Sequence, residues 1–261
     1  MTNLNDNFPI FDLFDDKEVI DKTALHKAAK INEEDYNKHK INTALFLFYR
    51  EVPSFLTDDL TLFYEYKNGS NLNKVYLYKN KFAIAFSPLG GPAAAGLMEE
   101  LGFLGITNFF ACGSAGQIDF GFDSKQFLLV EKAIRDEGVS YKYIPASIYV
   151  ETSNKLNKFI SEWFLKHNLT LKPAITWTTD AFFRETPKAI AKRTSQGAIS
   201  VEMECASLCA VAKFRGYNFS QVLYFSDAVK QFEWDLKEHR KSLKEEIVKT
   251  MTQCLLDFSD R

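Results

Sequence analysis

Short apolar segments alternate with helical patterns along this 261-residue chain, and that alternation restricts its fold more than any other feature. Thr43–Tyr49 has the length and unbroken apolar character of a buried strand. Thr152–His167 instead carries its apolar residues at helical spacing. Further strands are predicted at 61–66, 74–79, 82–86, 106–112, 127–131, 174–178 and 221–225, and further helices at 93–101, 203–215 and 234–258. This order indicates an α/β fold.

The expected architecture is a three-layer α/β/α sandwich with a central sheet that is mixed, largely parallel and twisted. Residues 1–42 are expected to form an N-terminal arm and a helix, which Asp15 or Asp16 would cap and which would end near Lys30. Residues 43–261 are expected to form a single domain, because no linker or repeat divides them.

Composition narrows the class of protein. A net charge of −2 gives no footprint for nucleic acid. Cysteines 112, 205, 209 and 254 match no zinc pattern, so they are predicted to be reduced core thiols of a cytosolic protein. The N-terminus lacks the features of a signal peptide. The uncharged stretch Leu101–Ile118 is interrupted by glycines and polar residues, which favours a buried strand with turns over a membrane span. We therefore expect a cytoplasmic protein that contacts neither nucleic acid nor membrane.

Ligands of such sheets bind at the carboxyl ends of the strands, which directs attention to Gly90-Gly91, Gly113-Ser114 and Ser226-Asp227. The small residues of Gly113–Gly116 allow an anion to approach backbone N–H groups, although the same residues also form ordinary tight turns. Asp227 is either a cap or loop residue, or a carboxyl group whose raised pKa suits a general acid.

Two carboxylates, Glu202 and Glu204, flank Met203 where a predicted strand passes into a small-residue helix. Carboxylates at this position either compensate the helix dipole or bind a ligand. A buried carboxylate requires hydrogen-bond donors, which two adjacent sugar hydroxyls supply. Upstream, Phe182 in Thr179–Arg184 is either a core side chain or a platform on which a planar base stacks.

Taken in order, these segments resemble the nucleoside phosphorylase family, which includes bacterial purine and uridine phosphorylases and methylthioadenosine/S-adenosylhomocysteine nucleosidases. The resemblance covers about residues 43–230, and its most specific element is Val201–Glu204 followed by Ser226-Asp227. The other similar segments are Gly90-Gly91-Pro92, Gly113–Gly116, Ile134–Ser140 and Thr179–Phe183. The resemblance implies a phosphorylase/hydrolase-like fold and a nucleoside phosphorylase-like catalytic domain.

The resemblance also implies a role for each matching residue. Glu204 would accept hydrogen bonds from the ribose 2′- and 3′-hydroxyls, Met203 would pack beneath the sugar, and Glu202 would lie near the ribose and base. Asp227 would protonate or hydrogen-bond N7 of a purine leaving group. Phe182 would stack against the base.

At the nucleophile end, Ser114 and Gly113 would bind phosphate, and Gly91 would belong to the substrate-binding glycine turn. Phosphorylases of the family usually carry an arginine two residues before the glycine of the phosphate loop, where this chain has Ala111. The loss of a guanidinium removes a bidentate phosphate contact. The candidates to replace it are Arg50 and Arg135.

The leading prediction is a phosphorylase that cleaves a purine nucleoside with phosphate, giving free base and ribose 1-phosphate. Inorganic phosphate would be its co-substrate, with no metal or organic cofactor. One alternative is a nucleosidase in which Glu51 activates water, and another is a non-catalytic nucleoside-binding protein. The family implies a homo-oligomer, either a dimer or a hexamer. Its contacts could include Phe8, Phe11 and Phe14, which could equally pack on their own domain.

Overall fold

A computed structural model of the chain describes residues 8–12, 17–49, 52–68, 71–229, 234–236, 238 and 240–260. The α-helices within these ranges are α1 (Lys22–Ala29), α2 (Glu33–Asn37), α3 (Gly91–Phe103), α4 (Asn154–Lys166), α5 (Pro187–Ser195), α6 (Cys205–Arg215) and α7 (Arg240–Ser259). The strands are β1 (Thr43–Leu47), β2 (Leu60–Asn68), β3 (Asn71–Tyr78), β4 (Phe82–Phe86), β5 (Asn108–Gln117), β6 (Phe127–Asp136), β7 (Tyr149–Glu151), β8 (Leu171–Thr179), β9 (Ala198–Glu202), β10 (Asn218–Val229) and β11 (Trp234–Leu236).

The described strands form one sheet in the order β11-β10-β6-β8-β9-β5-β1-β4-β3-β2, with β7 paired to β6. The sheet is mixed: β1 pairs in parallel with both β4 and β5, whereas β2, β3 and β4 pair antiparallel. This large mixed sheet flanked by helices confirms the predicted α/β architecture. An additional parallel pairing of β10 with β5 closes β5, β10, β6, β8 and β9 into a ring.

The sheet carries a hydrophobic core on each face. Side chains of β1 alternate between them: Ala44 and Phe46 pack with residues of α3 and α6, whereas Leu45 and Leu47 pack with residues of α4 and α7. A strand that is buried on both faces carries an unbroken apolar run, which is why Thr43–Leu47 could be recognised in the sequence.

Helix α4 shows how periodicity positions an element. The apolar residues that predicted it are all buried on the face turned to the sheet: Leu156, Phe159, Ile160, Trp163 and Phe164. Its exposed residues Lys155 and Lys158 lie on the opposite side. The amphipathic stripe therefore places α4 as predicted.

The two ends of the chain differ from the prediction. The N-terminal helix begins after Asp21, whose side chain caps the Ala24 N–H, whereas residues 13–16, with Phe14, lie outside the described residues. Phe11 packs edge to face on Tyr141 of its own chain at 5.3 Å, and Phe8 is exposed. At the other end, residues 234–236 form β11 instead of the first turn of the last helix.

The cysteines at 112, 205, 209 and 254 are all buried thiols outside any disulfide, as predicted for core thiols. Within the described residues, no helix combines the length and the apolar character that crossing a membrane requires.

Candidate functional site

A cleft lies near the carboxyl ends of β5, β9 and β10. It contains about 500 Å³ of empty space, part of which is open solvent. We call it the strand-end cleft. Its lining residues are Leu89, Ser114, Ala115, Gly116, Phe182, Glu185, Val201, Glu202, Met203, Glu204, Ser226, Asp227 and Val229. The predicted site residues that the fold brings together here are Ser114, Phe182, Glu202, Met203, Glu204 and Asp227.

Glu202 ends β9 and holds the start of α6. Its Oε2 accepts hydrogen bonds from the backbone N–H groups of Glu204 and Cys205 at 2.8 and 2.7 Å, and its Oε1 accepts one from the Thr178 hydroxyl at 2.5 Å. The side chain is buried, and three donors satisfy its carboxylate. Glu202 therefore fits the alternative in which a carboxylate compensates the dipole of α6. The hydrogen bonds to Glu202 also fix the segment that carries Met203 and Glu204.

Glu204 has fewer hydrogen-bond donors than Glu202. Its Oε1 accepts a 2.6 Å hydrogen bond from the Gly90 N–H, and the backbone N–H of Met203 is its other donor among the described residues. Burial, together with the neighbouring Glu202 carboxylate, raises the pKa of Glu204. A buried carboxylate with so few donors is completed by a ligand that brings hydroxyl groups.

Gly90 and Gly91, at the start of α3, have two different roles, which the sequence did not predict. Gly90 adopts a φ of +94°, which favours glycine, and it points its N–H at Glu204. Gly91, which was predicted to bind substrate, does not line the strand-end cleft. It begins α3 and packs against α6, where an added Cβ would lie 2.2 Å from Ser207 Oγ. Gly91 therefore allows the two helices to approach each other closely.

Replacing Gly91 by Ala is expected to lower the free energy of unfolding by about 1–3 kcal/mol, because the new methyl group collides with Ser207. Rotation of Ser207 would break its 2.7 Å hydrogen bond to the buried Glu137 carboxylate. Urea unfolding measures the change. Gly96→Ala in the same helix is the matched control, since an added Cβ there meets nothing within 4 Å. That variant is expected to be neutral or slightly stabilised; an equal loss in both variants would contradict the packing role.

Asp227 lies near the end of β10, where the pairing with β5 is irregular. The register shifts between Phe225 and Asp227, and bulges of this kind re-aim side chains beside functional sites. Phe225 is buried in the core, whereas Asp227 lines the strand-end cleft. Its Oδ1 accepts a 2.6 Å hydrogen bond from the Ser226 hydroxyl, and its Oδ2 accepts a 2.8 Å bond from the indole N–H of Trp234.

Trp234 is therefore a site residue that the sequence analysis missed, because it assigned residues 234–258 to one helix. In the structure β11 pairs antiparallel with β10, with Trp234 opposite Val229. The Trp234 ring also meets the Phe182 ring edge to face, with centroids 6.1 Å apart. The charged run at 237–241, which interrupts the apolar pattern between Leu236 and the helix, was the available sequence signal.

Glu185 is a further carboxylate in the cleft that the sequence analysis missed. It follows the short 3-10 helix Phe182–Arg184, three residues after the aromatic ring that the sequence had singled out. Burial and the nearby Asp227 carboxylate raise the pKa of Glu185 to about 7. Among the residues that the structure describes, none gives this carboxylate a hydrogen bond or an ion pair.

The predicted phosphate loop contributes fewer groups than expected. Ser114 lines the cleft and is exposed to solvent. Gly113 does not line it: an added Cβ would lie 2.9 Å from the Phe48 ring, so this glycine makes room for packing. Ala111 is fully buried in the core, so the position at which the resemblance led us to expect an arginine offers no polar group.

Arg135 does not line the cleft either, and its guanidinium is already bound. It donates hydrogen bonds to the Ser140 and Ser147 hydroxyls and to the carbonyl oxygens of Ile144 and Pro145. The side chain is 4% exposed, so it holds the 140–147 segment and is not available to a phosphate in the cleft. The second candidate, Arg50, lies outside the described residues.

The described lining of the strand-end cleft is thus acidic. Its charged side chains are those of Glu185, Glu202, Glu204 and Asp227, and no arginine or lysine stands among the described lining residues. In the described ranges, no group of three histidine, cysteine, aspartate or glutamate side chains could hold a metal ion.

Comparison with known proteins identifies the family of this chain. The model of the phosphorylase superfamily matches residues 55–258. The purine nucleoside phosphorylase (DeoD-type) of Bacillus cereus is 25% identical over 174 residues, which cover 66% of this chain and 74% of that protein. The uridine phosphorylase of Thermococcus kodakarensis is 28% identical over 105 residues, which cover 39% of this chain and 36% of that protein.

Solved structures share the fold. A futalosine hydrolase mutant of Helicobacter pylori superimposes with a TM-score of 0.66 at 19% identity, covering 83% of this chain and 99% of that one. Helicobacter pylori MTAN superimposes with a TM-score of 0.64 at 18% identity, covering 82% of this chain and 98% of that one.

Proposed function

This chain belongs to the phosphorylase superfamily, and we propose that it cleaves the N-glycosidic bond of a purine nucleoside. The observation that carries the proposal is the meeting of Glu204 and Asp227 in one cleft, from the ends of two different strands. One carboxyl group suits a sugar with two adjacent hydroxyls, and the other suits a leaving group that must gain a proton. The superfamily comprises phosphorylases and nucleosidases, so both reactions of this bond come into consideration.

At the sugar end, Glu204 accepts hydrogen bonds from the ribose 2′- and 3′-hydroxyls while Gly90 holds its other side. These donors favour the ionised carboxylate, whose pKa is raised in the empty cleft. Cleavage develops positive charge on the ribose ring, so an ionised Glu204 stabilises the transition state more than the ground state. Met203, beside it in the cleft lining, packs against the sugar.

At the base end, Asp227 donates a proton to N7 as the purine departs. The Ser226 hydroxyl and the Trp234 indole orient its carboxyl group. Phe182, which is 39% exposed at the cleft and lies against Trp234, stacks on the base. Neutralising the leaving group while the sugar is held lowers the barrier from both sides of the bond.

We infer that the nucleophile is water. A phosphate dianion would enter a cleft whose described lining carries four carboxyl groups and no cationic side chain. Burial and the charge of neighbouring carboxylates already raise the pKa of Glu202 and Glu204. A phosphate beside them would add a further negative charge and would be repelled in the same way. Water carries no such cost. Glu51, the base expected for this reaction, lies outside the described residues.

Phosphorolysis is the second candidate, and its support comes from the relatives with phosphorylase names together with the exposed Ser114 hydroxyl. In that reaction Ser114 would bind the phosphate. Arg50 would supply the missing charge.

One assay separates the two reactions. Purified, phosphate-free enzyme is expected to release base from a purine nucleoside at the same rate with and without added phosphate, and to yield free ribose. Chromatography of the base and a reducing-sugar assay follow the two products, and Glu204→Gln controls for contaminating enzymes. Phosphate-dependent release with ribose 1-phosphate as product would establish the second candidate. No release from any nucleoside under either condition would refute both.

A further inference from the structure

We propose that Glu185 makes the strand-end cleft selective for purine nucleosides that carry an amino group at C6. The inference rests on the proposed function and adds to it a specificity-determining residue and a substrate class. It starts from a carboxylate that the proposed chemistry leaves without a role.

Glu185 lies at the base end of the cleft. It follows the ring of Phe182 by three residues and lines the cleft together with Asp227. Of the other carboxylates in the cleft, Asp227 is the one whose charge raises the pKa of Glu185, while Glu202 is the one whose charge raises the pKa of Glu204. Glu185 is therefore a neighbour of the proposed proton donor Asp227.

The chemistry of the purine ring then identifies what Glu185 meets. With N9 on the ribose and N7 on Asp227, the exocyclic group nearest to N7 is the substituent at C6. An ionised carboxylate is an acceptor without a donor, so it binds the N–H of a 6-amino group and repels the oxygen of a 6-oxo group. Because no described residue supplies Glu185 with a donor, a 6-amino group would complete its hydrogen bonding.

Sites that hydrogen-bond one substrate and leave a buried group unpaired with its analogue discriminate strongly. We expect kcat/KM for adenosine to exceed that for inosine by about 10²-fold. In Glu185→Gln the amide either accepts from an amino group or donates to an oxo group. The ratio is therefore expected to fall below about tenfold, mainly through a gain with inosine.

The acidity of Glu185 provides a second readout. Its pKa of about 7 means that the protonated form, which can donate to a 6-oxo group, becomes populated below neutral pH. The other titratable groups that line the cleft are Asp227 on β10, Glu202 at the end of β9 and Glu204 at the start of α6. These groups act on both substrates alike, so their effects largely cancel in the ratio. The adenosine-to-inosine ratio is expected to rise with pH through about 7 in the wild type and to be flat in Glu185→Gln.

The decisive experiment measures kcat/KM for adenosine and inosine in the wild type, in Glu185→Gln and in Glu162→Gln, an exposed α4 carboxylate that serves as the matched control. Glu162→Gln is expected to keep the wild-type ratio. A ratio that Glu185→Gln leaves unchanged would overturn the proposal, as would a wild-type preference for inosine. Urea unfolding of each variant shows that it is folded, and Glu185→Asp, which keeps the charge, is expected to retain a preference for adenosine.

Binding of the free bases separates this inference from the proposed function. Calorimetry with adenine and hypoxanthine requires no cleavage. If the protein cleaves no nucleoside but binds adenine preferentially, and Glu185→Gln removes that preference, the proposed function fails while the selectivity stands. If nucleosides are cleaved but the two bases bind equally well in the wild type, the selectivity fails while the function stands. If neither base binds and no nucleoside is cleaved, both are refuted.

Discussion

Replacing Glu204 by Gln is expected to lower kcat/KM for nucleoside cleavage by about 10²- to 10³-fold. The ribose hydroxyls would lose a charged acceptor whose hydrogen bonds strengthen as the ring becomes cationic, a contribution of several kcal/mol to the barrier in glycoside cleavage. Gln preserves the shape of the side chain and can still accept from the Gly90 N–H, so the fold is maintained. Steady-state kinetics with a purine nucleoside measure the loss.

The same substitution is expected to make the stability of the protein less dependent on pH. The pKa of Glu204 is raised above its ordinary 4.5, so above that pH the folded protein keeps a proton that the unfolded chain has released. The free energy of unfolding therefore falls as the pH rises from about 4.5 through the folded pKa. Glu204→Gln removes this group, so its stability is expected to fall less than that of the wild type between pH 5 and 8. Urea unfolding at both pH values makes the comparison.

Glu151→Gln is the matched control, because Glu151 is exposed on β7. It is expected to leave the activity unchanged. A residue that only supports the fold would lose stability and activity together when replaced. Unimpaired cleavage by Glu204→Gln would remove the ribose-binding role, whatever its stability.

The sequence was informative where function depends on which residues end a strand. Asp227 was predicted because an α/β sheet collects its ligand groups at the carboxyl ends of its strands. Glu204 was predicted because it follows a strand at the start of a small-residue helix, and both residues line the cleft. The resemblance to a known family supported both predictions, because the matching segments occur in the family's order along the chain. Neither argument depended on knowing the direction in which a side chain points.

Direction is what the sequence did not contain. Arg135 was a phosphate candidate by residue type, yet its guanidinium turns to the 140–147 segment and is buried there. Gly91 was a candidate by motif, but its neighbour Gly90 points an N–H at the site while Gly91 packs on Ser207. In each case contacts with residues distant in the sequence determine which group points into the cleft, and the local sequence pattern does not distinguish the candidates.

Long-range pairing also explains the differences in fold. The ring closes because β10 pairs with both β5 and β6, and β10 pairs with β11 as well. The hydrophobic pattern of a strand does not show which strands it pairs with. The bulge at Ser226, which aims Asp227 at the cleft, belongs to that pairing. Trp234 was assigned to a helix for the same reason, since β11 is held by β10 rather than by its own three residues.

Replacing Asp227 by Asn is expected to reduce kcat for purine nucleosides by about 10²- to 10⁴-fold, the usual contribution of a general acid. An amide has no acidic proton to give to N7, although its oxygen can still accept from the Trp234 indole while its NH2 donates to the Ser226 hydroxyl oxygen. The geometry of the site is therefore preserved while its chemistry is removed. The control is Asp235→Asn, an exposed carboxylate on the same hairpin, which is expected to leave kcat unchanged.

The leaving group decides whether Asp227 acts by proton transfer. A riboside of 4-nitrophenol departs as a stable anion and requires no proton, so Asp227→Asn is expected to cleave it within a fewfold of the wild-type rate. Glu204→Gln is expected to lose activity on both substrates, because the ribose is common to them. An equal loss by Asp227→Asn on the purine nucleoside and on the nitrophenyl riboside would assign Asp227 to positioning instead of proton donation. The two substrates thus distinguish the two carboxyl groups. A loss on both substrates assigns Glu204 to the sugar end of the strand-end cleft, and a loss on the purine nucleoside alone assigns Asp227 to the base end.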